Sequence, residues 1–297
     1  MSIRHFRIFI AVAEEENITK AAKKLYLTQP TVSVAIKEIE EHYGARFFER
    51  INQRLHITEE GKRFLDYAKH FIAMYDEMEI AFKNTDFTRR LRVGASVNIG
   101  TYYIPKLIRE FQDRYPGINV QVKINTTAVV EKELLDGRLD LALVGGTIQS
   151  EHIVAEPLFY EKYTAICAPE HPMAGKTVPL EEFMKEPLLF REKSSGAYEV
   201  FQSAVNQTGL TVTPVWESTS QTTLMEAVHY GLGVTILPEQ MIKREVREGR
   251  LSQITFSDFS FQNTIHIAYH HSKYLSPSIK KFILLVKTLN PPKSVPE

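Results

Sequence analysis

Two short apolar patterns, separated by a three-residue gap and crowded into residues 17–43, leave few folds open to this chain. From Thr19 to Leu25, Ala21, Ala22 and Leu25 recur on one face of a helix that Thr19 is placed to cap. A turn follows over Tyr26, Leu27 and Thr28. Pro30 then fits only in the first turn of a new helix, where its missing N–H would have no partner anyway. That helix carries Val32, Ile36, Ile39 and Tyr43 on an inward stripe and turns Thr31, Ser33, Val34, Lys37 and Glu38 outward. Gly44 ends it as a left-handed residue would. The spacing predicts a helix-turn-helix whose second helix enters a major groove.

Beyond Gly44, Leu55 and Ile57 alternate with polar neighbours as in a hairpin, and Arg50 and Arg54 flank its tip. The block Ala21, Ala22 and Leu25, then Thr28 to Ser33, Ile36, Ile39 and Glu40, Gly44, Phe47, Phe48 and Arg50, and finally Thr58 and Gly61 resembles the LysR-type transcriptional regulators. It departs at Ile39, Phe47 and Ile57, where leucine is usual in that family, and at Val34 and Ala35, where many relatives face the bases with polar residues. The resemblance implies an α+β chain in two parts. A winged helix-turn-helix (1–60) leads to a dimerising linker helix and hinge (61–90) and then to a two-lobed α/β, periplasmic-binding-protein-like effector domain (91–297). It also implies double-stranded DNA, a small-molecule effector and a second copy of the chain as partners, with dimer against tetramer left open. On such a head Gln29, Pro30, Thr31, Ser33 and Val34 face base edges, Thr19, Thr28 and Lys37 meet phosphates, and Arg50 and Arg54 reach the backbone or minor groove.

Charge does not argue for nucleic acid. Residues 1–60 hold nine Lys or Arg against nine Asp or Glu, and the whole chain is neutral at 36 against 36. Any positive field must come from arrangement, with Lys20, Lys23, Lys24, Arg50 and Arg54 toward DNA and the acids behind. Residues 3–13 read as a first helix with Phe6, Phe9, Ile10 and Ala13 inward.

Length and composition fit two or three globular domains: 297 residues, 43% of them hydrophobic. No apolar run is long enough to span a bilayer, and the N-terminal stretch breaks at Glu14, Glu15 and Glu16, unlike a signal peptide. With one cysteine, Cys167, in what reads as a buried strand, a reducing cytoplasmic setting is expected.

From Thr58 to about Asn84 the sequence predicts one long helix. Phe64, Ala68, Phe71, Tyr75, Met78 and Phe82 follow one another at steps of four and three, a seam that calls for a partner helix. The same helix of a second subunit is the simplest partner and the one the resemblance implies; the chain's own effector domain is the alternative. Thr88, Arg89 and Arg90 read as a hinge.

A βαβαβ grammar starts at Leu91: strands 91–94, 119–125 and 139–144, helices 102–115 and 128–136. It resumes with strands 188–190, 211–216 and 234–237 and helices 197–208 and 221–230, returns through 264–269, and finishes in a helix over 276–289. Lobe I takes about 91–160 with 266–297, and lobe II about 161–265. Ligands of such sheets sit where strands end and helices begin. Four places qualify: Ser96, Asn98 and Thr101; Thr126 and Thr127; Ser194, Ser195 and Gly196; Thr219 and Ser220. Any one of them is equally an ordinary helix cap. Gly146, after Gly145, would admit a ligand to the backbone or simply turn the chain. These loops carry no Asp or Glu, so the expected pocket is free of carboxylates and suits an anion.

Catalytic and metal readings fail. Gly94 to Asn98 lacks the second glycine of a nucleophile elbow, Gly231 and Gly233 lead from helix into strand, and His266 and His270 would stand about 13 Å apart along a strand. No cofactor, metal or enzymatic activity is expected. The rival readings are a small-molecule-binding protein without a DNA-dependent role and an enzyme fused to a DNA-binding head.

Overall fold

The computed structural model describes residues 1–52, 54–83, 90–193 and 195–289; the expected hinge at 88–89, the helix end at 84 and Ser194 lie outside them. The chain divides into two compact units, one of 1–88 with 133–139 and one of 89–132 with 140–297.

The first unit contains α1 (Ile3–Glu15), α2 (Ile18–Lys24), α3 (Gln29–Tyr43), the hairpin β1 (Phe48–Ile51) and β2 (Arg54–Ile57), and α4 (Glu59–Lys83). The cap of α2 is Asn17, not Thr19: its side chain accepts from the Lys20 N–H, which moves the helix start one residue back and leaves Thr19 exposed in the first turn. Thr28 caps α3, and Pro30 lies in its first turn. Gly44 closes α3 at φ +64°, a conformation open to glycine.

Ile8, Phe9, Ala11 and Val12 form the deepest part of α1, while Phe6, Ile10 and Ala13 pack at the margin of the same core. On α3 the buried stripe is Val32, Ala35, Ile36 and Ile39. Tyr43 stays half exposed, with its ring against Phe47 and Phe64. Phe64 stacks on Phe47 at 4.6 Å and meets the edge of Phe9 at 4.7 Å.

Two polar devices fix the wing on this core. Glu40 accepts from the N–H groups of Phe47 (2.8 Å) and Phe48 (3.1 Å), and the Thr58 hydroxyl donates to the Arg46 carbonyl while accepting from the Gly61 N–H. A Cβ on Gly61 would lie 2.3 Å from the Phe47 carbonyl oxygen, so only glycine lets α4 start there.

The second unit runs β3 (Arg90–Ser96), α5 (Val97–Tyr102), α6 (Ile104–Arg114), β4 (Asn119–Asn125), α7 (Thr127–Leu135), β5 (Leu141–Gly145), β6 (Ile153–Cys167), β7 (Thr177–Val178), α8 (Leu180–Phe183), β8 (Leu189–Arg191) and α9 (Gly196–Asn206). It continues with β9 (Trp216–Ser218), α10 (Gln221–His229), β10 (Thr235–Pro238), α11 (Glu239–Arg247), β11 (Ser252–Phe256), β12 (Gln262–His270) and α12 (Pro277–Leu289). The main sheet has the order β4-β3-β5-β12-β6-β11-β7, with β10 also on β6; β8 and β9 pair separately.

Strands β3, β4 and β5 are parallel, and β12 returns antiparallel between β5 and β6. Because β6 and β12 are long, they run from one core into the other. The first core gathers Leu91, Phe111, Leu143 and Phe282, and the second Phe183, Phe190, Phe201 and Val234.

Asp140 ties the first core's sheet. It accepts from the Arg92 backbone N–H (2.7 Å) and pairs with the Arg92 guanidinium (2.6 Å) and Lys273 (2.9 Å). Burial pushes its carboxyl up, but these partners outweigh that and hold it below the usual value.

Three expectations are corrected. The helix expected over 102–115 is α6, which starts at Ile104 with Pro105 in its first turn, and the short α5 before it was not expected. The strand expected over 211–216 is confined to Trp216–Ser218: Pro214 has no N–H for a ladder. The fifteen-residue β6 was legible only near Cys167. Pro157 interrupts its pattern, and the ladder absorbs it beside a register shift at Ile265 and His266. Strands β7 and β11 and helices α8 and α11 had no counterpart in the sequence reading.

Candidate DNA-reading face and ligand cavity

On the head, Gln29, Pro30 and Lys37 are exposed, Val34 is 54% exposed, and Thr31 and Ser33 are half-buried. Ala35 is buried and so faces the core, not the bases. The hydroxyls of Thr28 and Thr31 meet at 2.7 Å, and Thr28 accepts from the Thr31 N–H at 3.4 Å, so this pair stabilises the helix start.

Ser33, Lys37, Arg46 and Arg50 line one groove of about 800 Å3 between α3 and the wing together with Glu40, Glu41 and Glu49, and Lys37 pairs there with Glu41 (3.4 Å) and Arg46 with Glu40 (3.6 Å). Arg50 and Arg54 are exposed; Arg54 pairs with Ile51 across the hairpin end and Arg50 with Leu55. Lys24 is corrected: it is tied to Glu14 (3.2 Å) and Glu15 (3.0 Å) rather than turned to a partner.

The linker seam divides into two parts. Ala68 is fully buried and Phe64 half-buried in the head's own core, so these two are not a surface for a second subunit. Phe71 is part-exposed and touches Phe6 at 4.8 Å; Tyr75 is half-buried. Met78 and Phe82 are exposed, Phe82 by 89%, and Met74 joins them. Phe71, Met74, Met78 and Phe82 are thus exposed apolar side chains on this half of α4.

In the second unit, three of the four strand-end groups converge. Ser96 and Asn98 from the β3–α5 junction, Thr126 and Thr127 before and at the start of α7, and Ser195 and Gly196 at the start of α9 line one small, partly open cavity. Thr127 donates to the Gly145 carbonyl at 2.9 Å. Gly146 does not line the cavity but shapes it: at φ +89° its Cβ would stand 2.8 Å from the Gly196 Cα, so the end of β5 and the start of α9 meet backbone to backbone.

Thr101 bonds back to the Val97 carbonyl and faces out. Thr219 and Ser220 are exposed, with Ser220 an ordinary cap accepting from the Thr223 N–H at 3.2 Å. These three are not in the cavity.

The expectation of a cavity free of carboxylates is overturned. Glu161, only 3% exposed, lines it together with Tyr163, Arg191 and Asn263, residues the loop-based reading passed over because they lie within strands. The available signal was the alternation of β6, in which Glu161 falls at a buried position along with Ala165 and Cys167. Burial pushes the Glu161 carboxyl up to about 7, against smaller opposing hydrogen bonds with Tyr163 and Asn98. Its Oε1 and the Asn98 Oδ1 are buried with no hydrogen-bond partner in the chain. Arg191, also buried, grips Glu192 with two bonds of 2.8 and 2.9 Å.

A winged helix-turn-helix on a unit of this topology, with a polar cavity at its strand ends, defines a DNA-binding regulator with a separate ligand-binding domain. Two family models match: "Bacterial regulatory helix-turn-helix protein, lysR family" over residues 3–62 and "LysR substrate binding domain" over 84–290. The chain belongs to the LysR family of DNA-binding transcriptional regulators. Similar proteins include the uncharacterised HTH-type transcriptional regulator YwqM of Bacillus subtilis, 31% identical over 97% of this chain and 99% of that protein. The HTH-type transcriptional activator CmpR of Synechocystis is 29% identical over 95% and 93%. A full-length OxyR variant from Pseudomonas aeruginosa shares the fold at a TM-score of 0.69, with 24% identity, covering 100% of this chain and 99% of its own.

Proposed function

We propose that this regulator senses a small polar anion in the cavity between β3, β5 and α9, and that the bound anion biases how paired heads engage DNA. The observation that carries the reading is the convergence of Ser96, Thr127, Ser195 and the opening turn of α9 on one cavity. The N–H groups and positive end of a helix favour negative charge there, and the Ser96 and Ser195 hydroxyls add donors, while Thr127 spends its proton on the Gly145 carbonyl and shapes the wall. Arg191 contributes a guanidinium at the cavity wall. On the DNA side, Gln29, Pro30, Thr31, Ser33 and Val34 read bases, Thr19, Thr28 and Lys37 meet phosphates, and Arg50 and Arg54 follow the backbone from the wing. Two copies joined through the free half of α4 hold two heads at the spacing that paired half-sites require. The effector then acts by preferring one subunit arrangement over another.

The test is a fluorescence-anisotropy titration of operator DNA with the full chain, with and without a panel of metabolite and inorganic anions. An anion should shift the DNA affinity of the wild type, and Thr127→Ile should abolish the shift while the head still binds DNA. A response only to cations or apolar compounds, or an undiminished response in Thr127→Ile, contradicts this assignment.

A further inference from the structure

The cavity pairs an expected anion with a buried carboxyl, and two like charges cannot share so small a space without a proton between them. Glu161 is held there by its strand: its register partner on β12 is Asn263, and Tyr163 follows two residues on. Asn98 faces it from α5 and donates through Nδ2 to the Tyr163 hydroxyl at 3.1 Å, leaving Oδ1 as the atom without a partner. The phenols of Tyr102 and Tyr103 also feel its charge. Each of these neighbours, Tyr163 included, is neutral through the physiological range, because burial raises all three phenols. Arg191, the cation on the cavity wall, is engaged by Glu192. Glu161 and Asn98, each with a buried acceptor that has no partner in the chain, therefore line the same cavity as the Ser96 and Ser195 hydroxyls and the start of α9.

We propose that Glu161 and the bound ligand hold one proton between them, so that the cavity selects a small oxyanion that carries its own O–H, of the hydrogen phosphate or hydrogen carbonate kind, over one that does not, such as sulfate. This rests on the anion reading given above. A protonated oxyanion donates its O–H to ionised Glu161 in a short, charge-assisted bond, with its remaining oxygens toward Ser96, Ser195 and the start of α9. A fully ionised anion has no proton to give. It binds only when Glu161 has first taken one from solvent, and then Glu161 donates. The carboxyl's upward displacement to about 7 puts that uptake within reach of neutral pH.

The experiment is calorimetric titration of the full chain with sodium phosphate and with sodium sulfate at about pH 6 and about pH 8, at constant ionic strength, for the wild type and Glu161→Gln. Phosphate carries at least one proton at both values, and sulfate at neither. In the wild type, sulfate should bind about tenfold more weakly at the higher pH while phosphate changes far less. Glutamine imitates the protonated acid, so Glu161→Gln should bind sulfate equally at both values. A wild-type phosphate-to-sulfate ratio that does not move with pH overturns the shared proton, as does a Glu161→Gln variant that keeps the wild-type pH dependence. Should the variant fail to fold, the wild-type ratio decides alone. Absence of binding by either anion at both values overturns the anion reading itself, and this proposal with it.

Discussion

Glu161 and Asp140 should contribute to the pH dependence of the second unit with opposite signs. The Glu161 carboxyl stands at about 7 in the fold against 4.5 as an ordinary glutamate. Between those values the folded chain keeps a proton that the unfolded chain has released. Stability is therefore highest below about pH 4.5 on this group's account and falls as pH rises toward 7, by on the order of 3 kcal/mol. Urea midpoints of the wild type should drop between pH 5 and pH 8 by more than those of Glu161→Gln; parallel curves would contradict the assignment. Asp140 has the opposite sign: its contribution is present above the usual carboxylate value and is lost as pH falls through its depressed one. Asp140→Asn takes the shared carboxylate from Arg92 and Lys273, and a cost of about 3–5 kcal/mol in chemical denaturation is expected. Less than about 1 kcal/mol would mean the cluster is solvated. Neither role was legible in the sequence. The role of Asp140 depends on Arg92 and Lys273, which are far from it in sequence, and that of Glu161 on which strand face looks inward, which periodicity decides only once the strand is recognised.

At the scale of elements, periodicity carried the helices well and the strands unevenly. Helix α3 emerged from Pro30, the Val32, Ile36 and Ile39 stripe, and Gly44, since each is a local signal. The long β6 did not, because Pro157 sits beside a bulge in β6 at Leu158 whose partner strand, β12, comes from far along the chain. Substituting Gln29 by alanine should relax base preference by about 1–3 kcal/mol at one position, whereas Arg54→Ala should weaken all sequences alike and flatten the salt dependence. Competition binding against operator variants over a salt series separates the two. The linker helix shows the limit of a seam read from spacing alone: Phe64 and Ala68 satisfy the repeat yet serve the head's own core. Met78→Asp, placed on the exposed half, should dissociate the dimer and remove tight operator binding, because an unpaired charge is costly in a buried seam. A sedimentation experiment showing that variant still dimeric would move the interface elsewhere.

At the scale of the molecule, the two-part organisation was readable because the sequence changes grammar near Leu91, from helical stripes to alternating strands and helices. Two of the ligand loops met in one cavity because the parallel strands β3 and β4 end on one side, and a third joins them where the start of α9 packs backbone to backbone on the end of β5. The fourth did not, since Ser220 does no more than cap α10. The account's central claim is that α3 reads bases in a head whose specificity is separate from the ligand cavity. Selection of bound sequences from a random duplex library by the full chain tests it most directly, run for the wild type, Gln29→Ala and Thr127→Ile. Enrichment of paired half-sites, with base identity broadened in Gln29→Ala and unchanged in Thr127→Ile, is the predicted result. An identical motif from the wild type and Gln29→Ala, or no enriched motif from the wild type, would contradict it.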